Sequence, residues 1–183
     1  MKTCIALLRG INVGGRNLLP MKELVSILEG LGAETVRTYI QSGNVVFRSP
    51  AANLRRFPEG ITAEIHKRHR FEPSVLLLER KAFEKAISMN PFTDAEPEPK
   101  TLHLGFLASA PSSPDLKSLE RLRAKNERFR LRGKILYLHT PDGLGRSKLA
   151  AGSERLLGVP MTARNWRTVM KIREMANEVE CRS

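Results

Sequence analysis

Short apolar runs alternate along this chain with stretches whose apolar positions recur every three or four residues. Residues 4–8 form an apolar run that predicts a buried strand. Met21, Leu24, Val25, Leu28 and Leu31 then fall at helical spacing, with Pro20 at the entrance and Gly32 at the exit. Residues 35–41 are rich in β-branched and aromatic side chains, Ser42, Gly43 and Asn44 supply a turn, and residues 45–47 return, which predicts a hairpin. A helix is expected over 59–69 with Ile61 and Ile65 facing inward, then a strand over 74–78. A short helix over 81–89 is stopped by Asn90, Pro91 and Phe92. Residues 93–99 are acidic and proline-rich and read as a linker or surface loop.

The order then begins again. Residues 101–107 predict a strand. Ser113, Pro114 and Asp115 predict a helix start with Ser113 as the N-cap, and Leu116, Leu119 and Leu122 share one face of that helix. A second hairpin is expected over 128–138, turning at Gly133 and Lys134. A helix begins near Ser147, carries Leu149, Leu156 and Leu157, and leaves at Gly158. Residues 159–163 are the one weak stretch that could close this half with a strand. A final helix starts near Asn165 and Trp166, with Val169, Met170, Ile172, Ala176 and Val179 on its apolar face. Strand, helix, hairpin, helix, strand is the ferredoxin-like order. The expectation is therefore an α+β protein made of two ferredoxin-like repeats packed together, with boundaries at 1–92, a linker at 93–100, and 101–183.

Charge changes this picture. The chain has 31 Lys and Arg against 19 Asp and Glu, a net charge of +12. Eight of the basic residues lie between Lys117 and Lys134, with only Glu120 and Glu127 against them. Lys117, Arg121 and Lys125 are spaced by four, as on one helix face. Arg128, Arg130 and Arg132 alternate with Phe129 and Leu131, which puts the three guanidinium groups on one face of a strand. With Lys134 these form a candidate polyanion surface. Aromatic residues make up only 5% of the chain, which disfavours an RNA reader that stacks bases on its sheet.

Three short polar segments join glycine to polar side chains. In the first, RGINVGGRN over 9–17, Arg9, Asn12, Gly14, Gly15, Arg16 and Asn17 could surround an anion, although the pattern matches neither the dinucleotide fingerprint nor the P-loop. In the second, Gln41, Ser42 and Asn44 offer hydrogen-bonding groups to a ligand, or simply satisfy a turn. The third opens a helix: Gly145, Arg146, Ser147 and Lys148 would join backbone amides, helix dipole and positive side chains around an anion, and this is the best single anion candidate. Arg164 and Asn165 could face the same cleft, while Trp166 reads as core.

No metal-ligand cluster and no catalytic triad stands out. His139, Asp142 and Ser147 are near one another in sequence without a spacing that makes them converge. Cys4 and Cys181 are too few for a disulfide framework. No cofactor is implied, no stretch approaches the length of a membrane-spanning helix, and a cytoplasmic location is expected.

The segments RGINVGGRN, TYIQSGNVVF (38–47), NPF (90–92), GRSKL (145–149), and TARNW followed by RTV (162–169) together resemble the bacterial family known as domain of unknown function 1697. The resemblance spans residues 9–169. It implies a cytoplasmic α+β protein of two ferredoxin-like motifs and carries no activity. His139 departs from it, since tyrosine is expected there. Two functions follow from the residues: binding of nucleic acid or another polyanion through the basic surface and glycine-rich loops, or action on a small phosphorylated metabolite or nucleotide as an enzyme or sensor. A third reading, in which the glycine segments are only turns and the protein works through a partner, calls for an apolar surface patch or a stable dimer.

Overall fold

A computed structural model describes residues 1–181. Among them the chain forms two four-stranded antiparallel sheets and six α-helices, divided between two compact units. The first unit holds Met1–Lys85 together with the end of the chain from Lys171; the second is Ala86–Met170.

In the first unit the order is β1 (Lys2–Arg9), α1 (Met21–Gly30), β2 (Glu34–Tyr39), β3 (Asn44–Ser49), a 3₁₀ turn (Ala51–Arg56), α2 (Phe57–His69), β4 (Ser74–Glu79) and α3 (Arg80–Ser88), whose last residues pass into the second unit. The sheet runs β2-β3-β1-β4, so β1 is paired on both sides. Its six middle residues are all buried, which explains why it reads as a continuous apolar run rather than an alternation. Alternate side chains Cys4, Ala6 and Leu8 pack with Val45 and Phe47 against Leu24, Ile27 and Leu28 of α1 and Phe57, Ile61 and Ile65 of α2.

The second unit repeats that order with β5 (Leu102–Leu107), α4 (Leu116–Leu122), β6 (Arg128–Arg132), β7 (Ile135–His139), α5 (Lys148–Leu157) and β8 (Met161–Asn165), followed by α6 (Trp166–Cys181). Its sheet runs β6-β7-β5-β8, the same order as the first. Leu107, Leu136 and Leu138 pack against Leu119 of α4 and Leu149 and Leu157 of α5. The weak stretch near 159–163 does close this sheet, as β8, through antiparallel pairing with β5.

Three expectations change. The N-cap of α4 is Asp115, not Ser113: its carboxylate accepts the Ser118 amide at 2.9 Å, and the helix begins at Leu116, two residues later than expected. Residues 93–99 are not a free linker. Phe92 and Ala95 are buried, and the segment belongs to the second unit, where Tyr137 donates to the Ala86 carbonyl (2.7 Å), Arg132 to the Met89 carbonyl (2.8 Å) and Arg128 to Asp94 (2.8 Å). The chain also divides at different places from those expected. The segment 86–92 joins the second unit through those bonds. From Lys171 on, α6 belongs to the first unit, where Glu178 pairs with Arg37 and Glu180 accepts from Thr3.

Gly43 shows how tightly the first hairpin is seated. Its φ is +72°, and a Cβ there would lie 2.6 Å from Leu8 Cβ and 3.3 Å from Leu8 Cα. Gly43→Ala should lower stability by about 2 kcal/mol or more, from left-handed strain and backbone displacement together. Urea unfolding reads this as a lower midpoint at unchanged slope, and an unchanged midpoint would contradict the packing described.

Candidate functional site: a basic cleft in the second unit

The segments RGINVGGRN and QSGN meet in the first unit. Residues 12–17 close on themselves as a small hairpin: Asn12 N–H donates to the Asn17 carbonyl (3.0 Å), Val13 and Arg16 form a bridge, and Gly14 and Gly15 turn at φ +56° and +74°. Two successive positive φ angles explain why both positions are glycine. Asn12 then ties this hairpin to its surroundings. Its Oδ1 accepts the Leu19 amide at 2.8 Å, and its Nδ2 donates to the carbonyls of Leu19 (3.0 Å) and Gln41 (2.9 Å). Asn17 Nδ2 donates to the Gly10 carbonyl at 2.7 Å.

This corrects the picture of a phosphate loop leading into a helix. The hairpin intervenes, and α1 begins only at Met21, behind Pro20. Asn12 and Asn17 spend their amides on backbone carbonyls, while Arg9 and Arg16 are exposed at the surface. Asn44 is fully buried and donates to the Tyr39 carbonyl (3.2 Å) and Ser42 Oγ (2.8 Å), so it locks the turn and presents nothing to a ligand. Gln41 stays exposed, with its carbonyl taken by Asn12.

In the second unit the segment GLGRSK does what its spacing promised. Gly143 takes φ +94° and Leu144–Arg146 form one 3₁₀ turn carrying Gly145. Ser147 then caps α5, its Oγ accepting the Ala150 amide at 3.0 Å. Beside this helix start lies a cleft of about 690 Å³, lined by Arg121 from α4, by Arg146, Ser147 and Lys148, and by the carboxylate residues Glu127 and Asp142. Arg121, Arg146 and Lys148 are exposed there. The carboxylates are held by neighbours: Asn126 Nδ2 donates to Asp142 at 2.9 Å, and the Ala124 amide donates to Glu127 Oε2 at 2.9 Å. The fold thus joins one member of the expected polyanion surface, Arg121, to the expected anion loop.

The rest of that surface is broken up. Lys117 and Arg121 share a helix face, but α4 ends at Leu122 and Lys125 sits in the following turn. Arg128, Arg130 and Arg132 do lie on one face of β6, yet two of them are engaged. Arg128 grips Asp94 with both terminal nitrogens (2.8 and 3.2 Å), donates through Nε to His139 Nδ1 (3.1 Å) and lies 4.8 Å from the centre of the Phe92 ring. Arg132 donates to the Met89 carbonyl. Arg130 and Lys134 remain exposed. The chain at 86–95 runs along this face, so it is not an open platform for a polyanion.

Arg164 and Asn165 do not line the cleft. Burial lowers the Arg164 pKa to about 10, and one terminal nitrogen donates to the Ala163 carbonyl at 2.9 Å. Asn165 Oδ1 accepts the Thr168 amide at 2.9 Å and so starts α6, beside the buried Trp166. His139, Asp142 and Ser147 do not form a triad, since each has a different partner. Sequence reasoning missed two residues: Glu127 as a wall of the cleft, and Asp94 as the partner of Arg128. Glu127 was counted only as a charge against the basic run.

Among the described residues no group of His, Cys, Asp and Glu could hold a metal ion, and no helix is long and apolar enough to cross a membrane. Two antiparallel sheets with their helices, and a cleft lined by cations at a helix start, define an α+β protein with a basic cleft in its second unit. The chain belongs to the family described as protein of unknown function (DUF1697), whose model matches residues 1–137. Among solved structures it is similar to the conserved bacterial protein SP0830 from Streptococcus pneumoniae, at 27% identity and a TM-score of 0.67, over 96% of this chain and 98% of that one. No curated protein matches it.

Two histidines make stability depend on pH. Burial holds His103 below the ordinary histidine range, opposed by a bond with the Thr101 backbone, and its Nδ1 has no partner. Burial, then the neighbouring Arg128, does the same to His139, opposed by Asp94 and Glu98. In both cases the unfolded chain takes up the proton more readily. Stability is therefore complete above the unfolded value of about 6.5 and is lost as pH falls from there toward the folded values. The urea midpoint should drop between pH 7.5 and 5, and less in a His103→Leu variant. A midpoint that is flat across this window, or drops equally in the variant, would contradict the assignment.

Proposed function

We propose that the protein binds a phosphate-bearing polyanion, with single-stranded nucleic acid as the ligand, through the cleft at the start of α5. The observation that carries this reading is the convergence of Arg121, from one segment, with Arg146 and Lys148, from another, beside the N-terminal amides of a capped helix. Exposed amides at a helix start attract anions, and Arg and Lys placed there add to that attraction. A net charge of +12 draws a polyanion toward the surface before any specific contact forms. Lys117 and Lys125 are exposed in the same unit and would follow the strand beyond the cleft. Arg9 and Arg16, exposed in the first unit, add to the positive charge of that unit's own surface.

The units themselves are read as ferredoxin-like motifs. The order strand, helix, two strands, helix, strand, and a sheet in which the first strand pairs with the third and fourth, support that in both. A bacterial, cytoplasmic setting agrees with the relative from Streptococcus pneumoniae and with two free cysteines. A second reading takes the ligand as a small phosphorylated metabolite or nucleotide on which the protein acts as enzyme or sensor. The cleft volume of about 690 Å³, within the range of small-molecule sites, favours it.

Fluorescence anisotropy with a labelled single-stranded oligonucleotide, over a series of salt concentrations, tests the proposal. Binding should weaken steeply with salt. Replacing both Arg146 and Lys148 by alanine should reduce the slope of log affinity against log salt by about 1.4, the release of two condensed ions from a single strand. Binding without salt dependence, or a slope the double replacement leaves unchanged, would refute it.

A further inference from the structure

Glu127 stands in a place that phosphate binding alone does not explain. It lines the cleft that holds Arg121, Arg146 and Lys148, yet it carries negative charge. Its residue surface is only 6% exposed. A carboxylate that deep is normally surrounded by donors, because an ionised group out of water loses its hydration. Here one oxygen, Oε2, accepts the Ala124 amide at 2.9 Å. The other, Oε1, has no hydrogen-bond partner among the described residues, and it is not sealed off from solvent, while the Arg123 charge acts on the carboxylate through space.

Its surroundings hold it in place. The Glu127 amide donates to the Ala124 carbonyl at 3.0 Å, and Arg123 Nη1 donates to the Glu127 carbonyl at 2.9 Å. Arg123 itself is paired with Glu120. The result is a positioned acceptor with lone pairs to spare, at the wall of a cleft whose Arg121, Arg146 and Lys148 attract phosphate and whose other carboxylate, Asp142, is held by Asn126. A bare phosphate would be repelled by it. A ligand that carries a hydroxyl close to its phosphate would use both: phosphate toward Arg146, Lys148 and the α5 amides, hydroxyl toward Glu127.

We infer that the cleft selects a ribose-bearing phosphate ligand, with Glu127 accepting a hydrogen bond from the ribose 2′-hydroxyl. This rests on the phosphate reading of the cleft and adds the sugar to it. The 2′-hydroxyl is the group by which a protein distinguishes RNA from DNA, and a carboxylate is a common partner for it in nucleotide sites. The same chemistry is offered by an RNA strand and by a free ribonucleotide.

The test uses the full chain and four probes: labelled oligoadenylate, its deoxy counterpart of equal length, and adenosine and deoxyadenosine monophosphate as competitors. The wild-type protein should bind the ribo-strand about tenfold more tightly than the deoxy-strand, the value of one hydrogen bond to a charged acceptor. Glu127→Gln should bring that ratio below about threefold without weakening the deoxy-strand, because it removes a negative charge from the phosphate site. A purely structural role for Glu127 would instead lower both affinities together. If adenosine monophosphate competes better than its deoxy form, a free ribonucleotide is a ligand; if only the strands discriminate, RNA is. Binding of both strands with a wild-type ratio near one overturns the role of Glu127 and leaves the phosphate site standing. Failure of all four probes to bind overturns both.

Discussion

The Arg128 guanidinium meets the Asp94 carboxylate, the His139 imidazole and the face of Phe92 at once, and that grip governs where the second unit can offer charge. It holds the segment 86–95 along one face of the sheet, assisted by the bonds from Arg132 to Met89 and from Tyr137 to Ala86. Because Arg128 donates through Nε to His139 Nδ1, the imidazole must be neutral there, which agrees with its lowered pKa. Two guanidinium groups that would otherwise extend a basic strand face are thereby made structural. What remains available is gathered at the other feature of the unit, the cleft at the start of α5.

The first unit follows the same logic with a neutral side chain. Asn12 accepts one backbone amide and donates to two carbonyls, and so joins the strand end, the approach to α1 and the β2–β3 turn. Its own φ of +53° is a conformation that asparagine tolerates better than most residues. Asn44 does comparable service from inside the turn. These asparagines build loops, and loops built this way keep their arginines at the surface.

Much of the fold was legible in the apolar pattern. Buried central strands such as β1 appear as short continuous runs, and the helices show their spacing and caps, Ser147 and Gly158 above all. What escaped notice depends on partners distant in sequence. Nothing local says that Asp94 will meet Arg128, 34 positions away, so an acidic, proline-rich stretch looked like a linker and an alternating arginine strand looked free. The α4 start was misplaced by two residues because Ser113 and Asp115 are both good caps, and only packing decides between them. For the site, the anion loop at 143–148 was readable because its chemistry is contained in one segment. Arg121 and Glu127 were not assigned to it, since their place there depends on where α4 ends and how the next turn folds.

The account stands on the claim that the cations around the α5 start are the ones a phosphate chain meets. Amide chemical-shift mapping during titration with a short single-stranded oligoribonucleotide at low salt tests this most directly. The largest changes should fall on residues 146–150 and on the turn at 121–127. Changes concentrated on β6 or on the hairpin at 12–17, with the cleft amides unmoved, would contradict it.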